Sequence, residues 1–210
     1  RKGDGVESFD LIRLLQRDPN TANMVDDPKN YVGNLMLLIV GGNDTTRNSM
    51  SGGVLFLNEN PDQFQRVKND RSLIPSMVSE IIRYQTPLSH MRRTVTRDVE
   101  FRGQKMKAGD KVVLWYCSAN RDESVIPNAD RFLIDRESVR NHASFGFGIH
   151  RCMGNRLAEM QLRVVWEEAL KRFSDIRLMS PPTRLCHNFV RGYASMPVQV
   201  TRYPGSSQVG

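Results

Sequence analysis

A mainly helical fold with a minor sheet is predicted by three observations. Residues 31–58 read as one long helix, interrupted by Gly41-Gly42 and ended before Asn60-Pro61. Residues 155–173 read as a second helix, because Arg156, Glu159, Arg163, Glu167 and Lys171 recur at helical spacing and leave the rest of the circumference apolar. So narrow a polar stripe predicts a mostly buried helix. Extended character is confined to short runs, chiefly over 94–115, where turns at Arg102-Gly103 and Ala108-Gly109-Asp110 separate β-type segments. Between these, 62–69 reads as a short amphipathic helix. A further helix covers 75–84 and stops before Thr86-Pro87, since the residue preceding a proline avoids the α region. Residues 120–151 read as a long loop, a length that is uncommon unless functional. Short extended pieces follow Pro181-Pro182.

The net charge of +7 raises the question of nucleic-acid binding. Residues 1–105 carry 15 basic and 13 acidic residues and 106–210 carry 15 and 10, with no Lys/Arg block. The excess is thin and dispersed, which favours a solvated surface over a nucleic-acid site. One local bias stands out: within 136–156, Arg136, Arg140, Arg151 and Arg156 face the single acid Glu137. The longest purely apolar run, 35–40, is far too short to cross a bilayer. Nothing ahead of Tyr31 resembles a signal or transit peptide, so a cytoplasmic location is expected. The three cysteines, Cys117, Cys152 and Cys186, show neither CxxC pairing nor zinc spacing. Cys117 falls in the apolar run 112–117 and is expected to be an inert buried thiol.

Cys152 has a different setting, Phe145-Gly146-Phe147-Gly148-Ile149-His150-Arg151-Cys152-Met153-Gly154. Gly146, Gly148 and Gly154 permit tight turns and close approach of a flat ligand. The thiol precedes a helix, whose positive dipole end, with Arg151, favours the thiolate. Phe145 and Phe147 are expected to shield it from water. The alternative is a glycine-rich turn that happens to include a buried cysteine.

Gly41-Gly42-Asn43-Asp44-Thr45-Thr46 lies in the middle of the long helix, where each glycine costs about 1 kcal/mol relative to alanine. Lacking side chains there, the helix can open locally and press against a planar cofactor. Asp44 can relay protons and the Thr45 hydroxyl can hold a water or donate a hydrogen bond, an acid–alcohol pair suited to proton delivery. The alternative is a packing kink with Asp44 as a cap; a phosphate loop is disfavoured because no Gly-Lys-Ser/Thr follows. Glu80 and Arg83 stand three apart on one helix face. An exposed pair there would be worth only tenths of a kcal/mol, but Met77, Val78, Ile81 and Ile82 make the helix largely buried.

The pattern F-x-x-G-x-x-x-C-x-G formed by Phe145, Gly148, Cys152 and Gly154 resembles the haem loop of the cytochrome P-450 superfamily. GGNDTT resembles its oxygen-activating helix and Glu80-x-x-Arg83 its ExxR motif. The resemblance spans residues 20–200 and about half of a family member's length, so a partial domain lacking the N-terminal half is expected. It implies a mainly α, helix-rich fold with small β-sheets. It also implies haem b (iron protoporphyrin IX) with Cys152 as axial iron ligand, where a thiolate pushes electron density toward O–O cleavage. A c-type haem site is excluded for want of CxxCH.

The same resemblance assigns Gly41, Phe145, Gly146 and Gly154 to the haem pocket, and Arg93 and His150 to the propionates, which they suit as charge-assisted donors. It gives Glu80 and Arg83 a structural network whose third member is expected to be Arg131, in Asp130-Arg131-Phe132. His90 reads as an ordinary polar loop residue rather than a haem stack. GGNDTTRNSM, EIIRYQTPLSHMRRT and SFGFGIHRCMGNRLAEMQ are most similar to bacterial soluble alkane hydroxylases. That implies terminal hydroxylation of medium-chain n-alkanes or fatty acids, electrons from NAD(P)H through a ferredoxin reductase and a ferredoxin, and a small hydrophobic substrate with O2. Leu37, Val40, Leu88, Met91, Phe189 and Val190 are the expected substrate-pocket residues, and the arginine-rich 136–156 stretch the expected dock for an acidic ferredoxin. The competing readings are a monooxygenase of another hydrophobic substrate, terpene or aromatic, a non-enzymatic haem-thiolate sensor, and a basic nucleic-acid module. The sensor leaves Asp44 and Thr45 without a role, and the nucleic-acid module leaves the cysteine loop without one.

Overall fold

The structure, a computed structural model, describes residues 10–204. In chain order its elements are α1 (Leu11–Arg17), α2 (Pro28–Glu59), α3 (Pro61–Asn69), α4 (Ile74–Gln85), β1 (His90–Thr94), β2 (Val99–Phe101), β3 (Gln104–Met106), β4 (Lys111–Trp115), α5 (Tyr116–Ala119), α6 (Asn155–Arg172), β5 (Phe173–Leu178), β6 (Thr183–Arg184), β7 (Tyr193–Ser195) and β8 (Val198–Arg202). Helices dominate. The strands pair only in twos, all antiparallel: β1 with β4, β2 with β3, β5 with β8 and β6 with β7. The fold is therefore mainly α with small sheets. Among the described residues no helix is long and apolar enough to cross a membrane.

The chain divides into two compact units, one ending at Asn43 and the other starting at Asp44. In the first, the Asp10 carboxylate accepts the Arg13 N–H at 2.9 Å and caps α1. Ile12, Leu15, Met24, Tyr31 and Leu35 line a small apolar cleft. Met36, Leu37, Ile39 and Val40 are exposed.

Helix α2 runs unbroken for 32 residues, so the interruption expected at Gly41-Gly42 does not occur. Two glycines cost only about 1 kcal/mol each. In a helix already nucleated, each further residue adds a hydrogen bond to a turn that is already fixed. The cooperative gain outweighs the local loss.

The core of the second unit gathers Leu55, Phe56 and Leu57 of α2, Phe64 and Val67 of α3, five residues of α4 (Ile74, Met77, Val78, Ile81, Ile82) and Leu162, Trp166 and Leu170 of α6. Each such side chain contributes on the order of 1.5–3 kcal/mol by leaving water. A Cβ at Gly53 would lie 2.8 Å from Ile81 Cδ1 and 2.9 Å from Trp166 Cζ2, so bare backbone at this position is what lets α2 touch α4 and α6. Helix α4 ends at Gln85, one residue later than the proline argument predicts. Thr86 adopts φ 43°, its N–H closing on the Ile82 carbonyl at 3.0 Å, and Pro87 forbids another turn.

Two expectations need correction here. The extended run ends at Trp115 as predicted, but the apolar run continuing to Cys117 turns into α5 at Tyr116–Ala119, leaving Cys117 half-buried rather than in the core. Helix α6 is not mostly buried. Only Leu162, Trp166 and Leu170 are, while Leu157, Met160, Val164 and Val165 are exposed. Periodicity identifies an apolar face, but whether a neighbour covers that face depends on the rest of the fold.

Candidate active site

Cys152 lies between a 3-10 turn, Gly148–His150, and the start of α6, with its thiol free and exposed. The loop is closed by short-range bonds: Gly146 N–H donates to the Ala143 carbonyl at 2.8 Å, Arg151 N–H to Gly148 at 3.0 Å and Cys152 N–H to Phe145 at 2.9 Å. Gly146 has φ 66°, and a Cβ there would meet the Tyr116 hydroxyl at 2.7 Å, so both conformation and space demand glycine. That contact places the loop against α5, immediately after β4. Gly154 leaves open the side facing the sulfur, a Cβ there lying 3.9 Å from Cys152 Sγ.

Phe145 is half-buried and packs on the core, its ring 5.4 Å from that of His142. Phe147, expected to shield the thiol, is instead 65% exposed, and Ile149 and Met153 are exposed at 97% and 80%. The exposed sulfur therefore lies on a loop whose neighbouring apolar side chains are themselves open to solvent. Among the described residues, no three His, Cys, Asp or Glu side chains gather to hold a metal ion. A lone thiol suits a metal that arrives inside its own chelating group. Arg93 and His150 form no ion pair among the described residues, and Arg93 donates only to the Arg92 carbonyl, at 3.0 Å. A soft sulfur ligand, apolar neighbours along its loop, and the N–H donors of Arg93 and His150 fit a flat, largely apolar, carboxylate-bearing metal complex such as haem.

The predicted pocket residues separate by unit. Leu88 and Val190 face each other in an antiparallel bridge, Ser89 N–H donates to the Phe189 carbonyl at 2.9 Å, and Met91 pairs with Leu114 across β1 and β4. All four are half-buried, so these segments do come together. His90 stacks between Trp115 and Phe189, with ring centroids 4.8 and 5.6 Å away. Leu37, Val40 and Gly41 belong to the first unit and are exposed. Asp44 and Thr45 open the second. The Asp44 carboxylate pairs with Arg47 one turn on, at 3.1 Å, and the Thr45 carbonyl accepts the Ser49 hydroxyl at 2.8 Å.

Beneath the loop, Glu80 and Arg83 are 0% and 1% exposed and meet in a two-pronged pair, Arg83 Nε and Nη2 reaching Glu80 Oε2 and Oε1 at 2.7 Å each. Arg83 also donates to three backbone carbonyls: Asn120 at 2.6 Å, Ala129 at 2.8 Å and Arg131 at 3.1 Å. The third side chain is not Arg131, whose own side chain is exposed and which supplies only its carbonyl. It is Arg136, with Nε 3.3 Å from Glu80 Oε2 and Nη2 donating to the Asn128 and Arg131 carbonyls at 2.9 Å. Burying Arg136 also removes it from the predicted docking surface. Of the other three arginines there, Arg140 and Arg156 lean on Glu159 at 3.5 and 3.7 Å.

His142 was not singled out from sequence. Burial pushes its imidazole down to about 4 from the ordinary 6.5, the guanidinium charges of Arg83 and Arg151 adding to the effect, and its Nδ1 has no hydrogen-bond partner. The folded value lies below the unfolded one, so the neutral ring stabilises the fold fully above pH 6.5 and loses that contribution as pH falls toward 4. Stability is expected to drop by up to about 3 kcal/mol across this window, read by urea unfolding. An identical drop in His142→Asn would remove His142 from the account.

The fold and this loop define a mainly helical protein that presents an exposed cysteine thiol on a glycine-shaped loop ahead of α6. The cytochrome P450 family profile matches residues 10–193. Linalool 8-monooxygenase of Pseudomonas putida is 46% identical over 170 residues, covering 81% of this chain and 42% of its own. The methyl-branched lipid omega-hydroxylase of Mycobacterium bovis is 43% identical over 164 residues, 78% of this chain and 38% of its own. The solved structure of cytochrome P450-153 from Novosphingobium aromaticivorans superposes with a TM-score of 0.87 at 51% identity, covering 91% of this chain and 48% of that one. The chain belongs to the cytochrome P450 family. It spans about half the length of the relatives it matches.

Proposed function

We propose that this chain contributes the thiolate side of a haem-dependent monooxygenase, with Cys152 as the residue that would bind the haem iron. The observation that carries this reading is the exposed Cys152 thiol, held on a glycine-shaped loop among exposed apolar residues. Bound haem would supply O2 reduction with two electrons and two protons, placing one oxygen in a C–H bond and releasing the other as water. In this reading Cys152 binds the metal, Arg93 and His150 hold the propionates, Gly146 and Gly154 keep side chains off the group, and Phe145 supports the loop from the core. Asp44 and Thr45 serve proton delivery, and Thr45→Ala is expected to keep haem binding while raising electron use per product severalfold. Coupling equal to wild type would exclude Thr45.

The substrate proposed is a medium-chain n-alkane or fatty acid hydroxylated at its terminal carbon. The resemblance to soluble alkane hydroxylases and the similarity to the methyl-branched lipid omega-hydroxylase support it. The half-buried apolar cluster of Leu88, Met91, Phe189 and Val190 suits a substrate positioned by shape alone. The similarity to linalool 8-monooxygenase favours a second reading, an acyclic terpene. Electrons would come from NAD(P)H through a ferredoxin reductase and a ferredoxin docking near Arg140, Arg151 and Arg156. The test uses the full-length protein: reduced with carbon monoxide it should show the strongly red-shifted Soret band of thiolate ligation, and alkanes of graded length should yield terminal alcohols. No shifted band overturns the haem-thiolate reading, and dominant internal or terpene hydroxylation overturns the alkane assignment.

A further inference from the structure

Asn120 is fully buried in the long loop, and every polar atom of its side chain is committed. Its Oδ1 accepts the Ala143 N–H at 2.6 Å. Its Nδ2 lies 2.8 Å from both Thr86 Oγ1 and Ser144 Oγ. Those hydroxyls donate elsewhere, Thr86 to the Arg83 carbonyl at 2.7 Å and Ser144 to that of Ile82 at 2.9 Å, so both must accept the amide protons. The Asn120 carbonyl meanwhile takes Arg83 Nη1 at 2.6 Å. One residue thus joins the C-terminal end of α4 and the buried arginine to the two residues that lead into Phe145.

The connection continues to the sulfur. Ala143, held through its N–H, accepts the Gly146 N–H at 2.8 Å, and Phe145 accepts the Cys152 N–H at 2.9 Å. We infer that Asn120 is the positioning residue of the thiolate loop, fixing Cys152 against the rigid α4 end through Ala143, Ser144 and Phe145. The inference rests on the proposed ligation by Cys152. Only an amide offers an acceptor to Ala143 and two donors to the hydroxyls at once; a side chain lacking these leaves the Ala143 N–H without its acceptor and both hydroxyl oxygens without the donor they accept from.

The test compares full-length wild type, Asn120→Ala and Leu170→Ala, the last a core lesion remote from this network. The readout is the fraction of the ferrous carbon monoxide complex carrying the red-shifted band at equal haem content. Loosening this clamp predicts a roughly tenfold rise in the ratio of unshifted to shifted form for Asn120→Ala, equivalent to about 1.4 kcal/mol. Leu170→Ala should lose stability without that change. Ser144→Ala, which removes only part of the clamp, should move the ratio less but in the same direction, and it decides the matter if Asn120→Ala fails to fold. A shifted band in wild type that persists unchanged in both network variants overturns the inference alone, as does an equal change in Leu170→Ala. No shifted band in wild type removes the ligation reading, and the inference with it.

Discussion

Glu80→Ala is expected to cost about 3–5 kcal/mol, enough to unfold a protein of ordinary stability at moderate temperature. Glu80 accepts from Arg83, from Arg136 and from the Leu133 N–H at 2.9 Å, all at a position with no solvent exposure. Removing the carboxylate leaves two guanidinium groups in the interior facing each other across an empty site. An exposed i,i+3 carboxylate–arginine pair, such as Asp44–Arg47 at 3.1 Å, is worth tenths of a kcal/mol. The two cases differ by an order of magnitude because burial removes the water that would otherwise screen the charges. Urea midpoints of wild type, Glu80→Ala and Asp44→Ala provide the check, and comparable small losses in both variants would refute the ranking.

Cys152→Ser should produce the opposite separation of effects. The side chain is exposed and bonds only through its backbone N–H, so the apoprotein should be as stable as wild type within about 0.5 kcal/mol. Thiolate spectra should nevertheless vanish, and turnover should fall by more than the ~10–100-fold typical of lesions one shell further out. Cys186→Ser, also at an exposed thiol, should change neither. A Cys152→Ser protein that keeps the red-shifted band would place the ligand elsewhere.

Helices α2, α3, α4 and α6 and the cysteine loop were readable because local signals specify them, whereas the short α1 and α5 were not. The Glu80/Arg83 spacing, Pro87 after Thr86, and the glycines around Cys152 each act within a few residues. The partner of Glu80 was not readable. The 120–151 segment has no periodicity, and Arg121, Arg131, Arg136 and Arg140 compete there on equal terms. What distinguishes Arg136 is a loop path that aims its side chain at Glu80 while Arg131 turns its carbonyl inward. Asn120 was hidden for a related reason, since a polar residue in a loop looks solvated until its neighbours are known. The unbroken α2 was misjudged through weighing two glycines without the cooperativity of a 32-residue helix.

Arg83 fastens the long loop through main-chain oxygens of Asn120, Ala129 and Arg131, and Arg136 takes those of Pro127, Asn128 and Arg131. Carbonyls are the same whatever side chain they carry. Evolution can therefore rewrite the letters at many of these positions, yet it has little freedom over how many letters there are. Shortening or lengthening the stretch between Asn120 and Arg136 by one residue would pull several acceptors out of reach together. In this part of the molecule the tally of residues matters more than their identity.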